Sequence, residues 1–303
     1  MKLEFYNQLI HIVDKERVLR DEPMKKHTTF RVGGNADYFV MPKTIQEVKA
    51  VVDLCRHMDM PYYVVGNGSN LLVSDNGYRG VIVQIYKEMN AITVEEDCVH
   101  AQAGALLSKV GSVALEAELS GFEFAAGIPG TVGGAVVMNA GAYGGEMKDI
   151  LANAIVLTED GEVLTLKNDE LELGYRTSII AKKNYIVLEV VYKLLKGDKE
   201  EIRAKMDELK VQRVTKQPLE YPSAGSTFKR PEGYFAGKLI QDAGLRGFQV
   251  GGAQVSEKHC GFVINKEEAT AADIVELMKQ VADKVYQEFD VTLEPEVKRL
   301  GEF

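Results

Sequence analysis

The sequence predicts an α+β protein built from two or three compact units. Three observations lead there. A chain of 303 residues is longer than one hydrophobic core usually serves. Its strand-like and helix-like runs are segregated and do not follow the strict strand–helix alternation of a doubly wound sheet. Its composition, 46% hydrophobic and 27% charged, is that of an ordinary globular chain.

The elements follow in order. Thr44 and Glu47 are spaced as a capping box, and Ile45, Val48, Val51, Val52 and Cys55 recur at helical spacing, which predicts a helix to about residue 59. Tyr62-Tyr63-Val64-Val65 reads as a short buried strand ending in Gly66-Asn67-Gly68-Ser69-Asn70. Strand-like runs follow at 71–74, 80–86 and 91–95, then a helix over about 106–119. The stretch from Gly127 to Gly145 reads as one long glycine loop. Asp160-Gly161 between two apolar runs predicts a hairpin, and residues 185–192 a further strand. The character changes near Gly197. Asp198 caps a charged helix to about Val214, which Pro218 and Pro222 end. A short helix at 235–243, a strand at 261–264 and a helix capped by Thr270 complete the chain. The last helix shows Ile274, Leu277, Met278, Val281 and Val285 on one face, a pattern of core packing.

The glycine stretch is the most informative feature. Glycine lets another group approach the backbone closely, and consecutive free amides form a concavity for anions. The stretch is apolar and holds no lysine, so it suits a large, partly apolar ligand that carries phosphates. Gly66-Asn67-Gly68-Ser69-Asn70 follows a strand as a Rossmann turn would, but Leu71 stands where the third glycine belongs and no clear helix opens there. What is left is either a plain β-turn or a turn of amides and hydroxyls fit for a pyrophosphate.

Gly174-Tyr175-Arg176-Thr177-Ser178 sets an arginine, whose planar fork suits a carboxylate, beside an aromatic ring. Ser223-Ala224-Gly225-Ser226-Thr227-Phe228-Lys229-Arg230 is a compact loop of small residues, hydroxyls and cations. Arg213 and Lys216 close the preceding helix, where cations also complement the helix dipole. Leu293-Glu294-Pro295-Glu296-Val297 brings two carboxylates together, with nothing local to separate Glu294 from Glu296. Read alone, each of these segments is equally a surface or turn feature.

The formal net charge of −9 argues against a nucleic-acid partner. No stretch is apolar enough to cross a bilayer or to act as a signal peptide. Cys55, Cys98 and Cys260 are widely spaced and read as free thiols of a cytoplasmic protein. No histidine stands at metal-ligand spacing, and no Gly-x-Ser-x-Gly elbow signals a hydrolase.

Taken together and in this order across nearly the whole chain, these motifs resemble the UDP-N-acetylenolpyruvoylglucosamine reductase family, flavoenzymes of cell-wall precursor synthesis. The first two motifs alone resemble the wider FAD-binding fold of the vanillyl-alcohol-oxidase (PCMH) type. The resemblance implies two FAD-binding subdomains, 1–80 and 81–196, followed by a smaller α+β substrate-binding domain, 197–303. It implies FAD held without a covalent bond, NADPH as co-substrate, and UDP-N-acetylglucosamine enolpyruvate as substrate. No nucleic acid, membrane or obligate protein partner is expected.

Carried over residue by residue, the resemblance makes Ser226 the proton donor. Arg176 and Glu296 hold the enolpyruvyl carboxylate and its developing charge; a carboxylate in that place calls for its protonated form. FAD is assigned Gly66, Asn67, Gly68, Ser69, Asn70 and Leu71, then Gly127, Ile128, Pro129, Gly130, Gly133 and Gly134, with Asn139, Gly141, Ala142 and Arg213. The substrate is assigned Tyr175, Lys216, Lys229 and Arg230, with Lys229 or Lys216 also supporting Ser226. Some members carry asparagine after the Phe-Lys pair and a tyrosine-bearing loop over the diphosphate. Arg230 and the short connection from Arg176 to Tyr185 resemble the shorter subtype instead, with Arg230 taking part of the covering role. Two rival readings are an FAD-dependent alcohol or sugar oxidase of the same fold and a catalytically silent UDP-sugar binder.

Overall fold

The computed structural model describes residues 2–303 and divides the chain into two compact units, each assembled from separated segments. The first takes in the chain up to Arg20, Tyr38–Asn67 and Gly80–Gln212; the second takes in Asp21–Asp37, Gly68–Arg79 and Arg213–Phe303. The late division between these units lies inside the helix Lys199–Lys216. The reason is packing: Ile202 and Leu209 of this helix are buried, and Met206 lies beside Gly111 of the helix Leu107–Glu116.

The first unit is organised by an antiparallel five-stranded sheet in the order Val163–Lys167, Leu151–Leu157, Ile186–Lys193, Cys98–Gln102, Ile92–Glu95. The Asp160-Gly161 hairpin forms as the sequence predicts, with Gly161 at φ +83° and the Thr158 amide donating to the Glu162 carbonyl at 2.9 Å. Val110 and Ala114 of Leu107–Glu116 share the sheet's core with Val132 and Val136 of the short helix Val132–Val137. Tyr192 is wholly buried there, edge-on to Phe122. A second cluster joins Phe5, Leu9 and Val13 to Val51, Leu54, Cys55, Val81 and Val83. Next to it, Tyr62–Val65 pairs in parallel with Tyr78–Gln84, Tyr62 opposite Val81.

Several sequence expectations shift. The helix predicted over 106–119 stops at Glu116, because Glu118 turns to φ +57° and Leu119–Ser120 pairs with Leu195–Lys196. The Thr44 capping box forms by half. Thr44 Oγ1 accepts from the Glu47 amide at 3.1 Å, while the Glu47 carboxylate turns to the Lys43 amide and to Arg17. The helix Lys2–Ile12 is additional to the elements read from sequence, and so is Val132–Val137, which interrupts what reads as loop.

The second unit packs the antiparallel strands Gln249–Val250, Ala253–Val255 and Val263–Asn265 against the helix Ala271–Phe289. The predicted face of that helix is its buried one: Ile274, Leu277, Val281 and Val285 are sealed from solvent and Met278 nearly so. Its N-terminus is held twice, by a complete Thr270–Asp273 capping box and by the Asp75 carboxylate, which accepts from the amides of Ala271 and Ala272. Leu71–Val73 pairs in parallel with Lys298–Leu300, Leu71 opposite Lys298. This pairing sets the C-terminal strand beside the strand that follows the Gly68–Asn70 turn.

Candidate functional site

In the first unit the candidate site is made largely of backbone. Among the described residues, the amides of Gly127, Gly130 and Thr131 donate to no acceptor within the protein. Neighbouring groups instead tie the segment down. The Val132 amide donates to the Ala105 carbonyl and the Gly133 amide to the Ala103 carbonyl, both at 2.8 Å, and the Leu107 amide donates to the Gly130 carbonyl. These long-range bonds explain why a glycine- and valine-rich segment of modest helix propensity forms Val132–Val137 at all. Gly66 lies so close to Thr131 that a Cβ would collide with its Oγ1. The strand-end turn and the glycine stretch are therefore in contact at these two residues.

The second half of the turn belongs to the second unit. Gly68 stands at φ +62°, and a Cβ there would run into the His27 carbonyl oxygen. The amides of Gly68, Ser69 and Asn70 likewise have no internal acceptor. Beside them lies Thr29, whose amide donates to the Gly68 carbonyl at 3.2 Å and whose Oγ1 is sealed from solvent with no hydrogen-bond partner. Orphan buried hydroxyls are uncommon in native proteins. Thr29 was not singled out in the sequence; the signal lies in its long-range packing. In this unit, open amides, a glycine with no room for a Cβ and an orphaned hydroxyl fit a bound phosphate.

The same unit brings together two motifs nearly seventy residues apart in the chain. Phe228 bridges Pro295 antiparallel, the Glu296 amide donates to the Thr227 carbonyl at 2.8 Å, and the Lys229 amide donates to the Glu294 carbonyl at 2.8 Å. Ser226 precedes this pairing on an exposed turn, after Gly225 at φ +75°. Here the two carboxylates, indistinguishable in sequence, separate. Glu296 is 9% exposed, and its carbonyl accepts from Asn70 Nδ2 at 3.2 Å. The Glu294 side chain is 68% exposed and holds the Lys229 ammonium at 3.0 Å. Lys229, assigned from sequence to the substrate, thus has a carboxylate partner of its own. Lys216 is exposed at the end of its helix, and the Arg230 guanidinium lies over the Phe235 ring at 4.2 Å. Arg213 reaches Gln217 through Nη1 at 3.2 Å.

In the first unit, Arg176 is half-buried at φ +54°, with its guanidinium 5.2 Å from the centre of the exposed Tyr175 ring. Asn139 is 99% buried, and its side chain hydrogen-bonds to Glu146, to the Gly174 carbonyl and to the Lys148 amide. Gly141 and Ala142 pair with Glu146 and Gly145 in a two-stranded ribbon. Among the described residues no cluster of metal-ligating side chains occurs, and no helix is long and apolar enough to cross a membrane. Cys55, Cys98 and Cys260 form no disulfide.

Two family models match the chain: an FAD binding domain over residues 36–167, and the C-terminal domain of UDP-N-acetylenolpyruvoylglucosamine reductase over 217–300. A UDP-N-acetylenolpyruvoylglucosamine reductase of Agathobacter rectalis is 58% identical over 298 residues, covering 94% of this chain and 95% of its own. The chain belongs to the UDP-N-acetylenolpyruvoylglucosamine reductase family. An enzyme of that name from Geobacillus kaustophilus is 54% identical over 99% of this chain and 98% of its own length. The crystal structure of the reductase from Thermus caldophilus superposes with a TM-score of 0.79 at 38% identity, covering 94% of this chain and 98% of that one. p-Cresol methylhydroxylase, at 14% identity and a TM-score of 0.51 over 97% of this chain and 65% of its own, shares the fold. The family assignment and the FAD-binding fold read from the motifs both hold. The protein is an FAD-dependent oxidoreductase with NADPH as co-substrate.

Proposed function

We propose that this chain reduces the enolpyruvyl ether of UDP-N-acetylglucosamine enolpyruvate to the lactyl ether, giving UDP-N-acetylmuramate for peptidoglycan synthesis, with the protein's own groups in the following roles. When bound, FAD would supply the two-electron chemistry, with NADPH as the source of the hydride that reaches the methylene carbon of the enol ether. The open amides of Gly66–Asn70 and of the glycine stretch, with the Thr29 hydroxyl, hold its phosphates. Gly127–Gly134 would hold the flavin ring system, and Arg213 is assigned to the same cofactor.

Arg176 pairs with the substrate carboxylate and stabilises the charge that spreads onto it as the methylene carbon is attacked. Fixed donors aimed at charge that appears only in the transition state commonly carry the largest share of catalysis. Ser226 gives its hydroxyl proton to the carbon next to the carboxylate. A serine hydroxyl is a weak acid, adequate here because its partner is a strongly basic enolate and its proton is resupplied by water or Lys216. Glu296, little exposed beside that segment, completes the hold on the carboxylate. Tyr175, Lys216 and Arg230 take the sugar and diphosphate, Arg230 standing in for the tyrosine-bearing loop this chain lacks; Lys229 adds positive charge while tethered to Glu294. The consecutive segments 1–80, 81–196 and 197–303 divide the labour between cofactor and substrate. We place the reaction in the cytoplasm, where free thiols persist, with no obligate protein, membrane or nucleic-acid partner.

The observation that carries this reading is the direct pairing of the Ser226–Lys229 segment with Glu294–Glu296 in the second unit. Neither an alcohol oxidase nor a silent binder of UDP-sugars calls for that arrangement. The test is optical and anaerobic. The yellow protein should bleach with NADPH and regain colour on adding the enolpyruvyl sugar nucleotide. Recolouring only by oxygen would support the oxidase, and no bleaching would support the silent binder.

A further inference from the structure

Asn139 and Ser178 lie in the first unit, and both are buried. Every polar atom of the Asn139 amide has a partner. Its Nδ2 donates to Glu146 Oε2 at 2.6 Å and to the Gly174 carbonyl at 3.1 Å; its Oδ1 accepts from the Lys148 amide at 2.9 Å. These partners fix which way the amide points, because a carboxylate can only accept and a backbone amide can only donate. Ser178 donates its hydroxyl to the Val137 carbonyl at 2.6 Å and accepts from the Ala181 amide at 3.2 Å, capping the helix Ile179–Lys182.

These bonds converge on one turn. Gly174 and Thr177 exchange hydrogen bonds at 3.1 and 3.2 Å, and the two residues between them are Tyr175 and Arg176. The Gly174 carbonyl accepts from both Thr177 and Asn139, which fills its two lone pairs. Asn139 at φ +45° and Arg176 at φ +54° both hold left-handed backbone, which non-glycine residues keep only where the surroundings enforce it. The two anchors on the other side, Val137 and Asn139, end and follow the helix Val132–Val137, whose first turn holds Gly133 and Gly134 of the segment assigned to FAD.

We propose that Asn139 and Ser178 are positioning residues that clamp the Arg176 turn to the C-terminal end of this short helix, so that the segment assigned to FAD and the arginine assigned to the substrate carboxylate form one rigid part. This rests on the role given to Arg176 above. It also reassigns Asn139 from cofactor contact to support. The sense of the arrangement is physical: a charged side chain stabilises a developing charge well only if it need not reorganise at that moment, and a misplacement of about 1 Å costs up to about a hundredfold.

The experiment uses two variants of the full-length holoenzyme. Asn139→Gly removes the amide at a residue where glycine tolerates the left-handed backbone. Ser178→Ala cuts the other bond, so failure of one variant to fold leaves the other. Anaerobic stopped-flow spectroscopy follows both half-reactions. Each variant should stay yellow and bleach with NADPH within about twofold of the parent rate, while recolouring by the enolpyruvyl sugar nucleotide slows roughly tenfold or more. In an Arg176→Ala background neither substitution should slow recolouring further, since a residue acting through Arg176 has nothing left to act on. Parental recolouring in both variants, loss of FAD from both, or full additivity with Arg176→Ala would overturn the inference. Parental recolouring in Arg176→Ala itself would end the reading of Arg176 and this inference with it. A slow Arg176→Ala beside two unaffected anchor variants would end the inference alone.

Discussion

Gly66 in the first unit has Thr131 Oγ1 where a Cβ would go, and Gly133 has Ala103 within 3.0 Å of one; Gly225 in the second unit has nothing within 4 Å. The segments proposed to face the ligands present their groups by different means. Around Gly66 and Gly133 the proposed binding surface is backbone, and glycine is required because other atoms occupy the space of a side chain. Around Ser226 and Glu296 the proposed groups are side chains on paired segments, and Gly225 serves to turn the chain. A site made of backbone tolerates little change in its glycines and much in its surroundings. A site made of side chains shows the reverse.

This contrast can be broken or sharpened by substitution, beginning with the largest effect. Glu296→Gln should slow recolouring of the reduced flavin about a thousandfold, on the scale of losing one preorganised donor to the developing charge. Glu294→Gln should change it less than about twofold, since its exposed pair with Lys229 contributes less than about 1 kcal/mol. Equal effects in rapid-mixing experiments would erase the distinction drawn from their burial. Gly66→Ala should weaken FAD binding by about 2 kcal/mol, roughly thirtyfold, through the forced shift at Thr131. Flavin fluorescence on dilution would measure this, and unchanged affinity would mean that the turn takes no part in holding the cofactor. Gly225→Ala meets no atom and should cost only about 1 kcal/mol of backbone strain, seen as a small drop in Tm with FAD content intact. The smallest effect has the opposite sign. Tyr192→Phe removes a buried hydroxyl without a partner and should leave stability unchanged or raise it by up to about 1 kcal/mol in denaturant titration. A loss of several kcal/mol would show that the hydroxyl is satisfied in solution.

What could be read from the chain in advance followed from local chemistry. Thr270, Asp160-Gly161, and the 3.6-residue repeat of Ile274, Leu277, Met278, Val281 and Val285 each carry their instruction within a few residues. The features that escaped depend on distant partners. Val132–Val137 is helical because the carbonyls of Ala103 and Ala105 take its first amides, and no propensity within the segment signals that. Glu294 and Glu296 separate only once Thr227 and Lys229 pair with them. Thr29 becomes a site residue only when Gly68 folds against it. The helix Lys2–Ile12 was the one legible omission, since Phe5, Leu9 and Val13 recur at intervals of four and all turn inward. The candidate site was legible to the extent that the motifs, taken jointly, resemble a family. Their residues alone left each segment open between a turn and a function.

The most direct test of the central claim is a comparison of the two half-reactions in Ser226→Ala. The account predicts a yellow protein that bleaches with NADPH at the parental rate and then recolours with the enolpyruvyl sugar nucleotide between about a hundredfold and ten-thousandfold more slowly, the range expected for a lost general acid. Recolouring at the parental rate, with lactyl ether formed in normal yield, would contradict it.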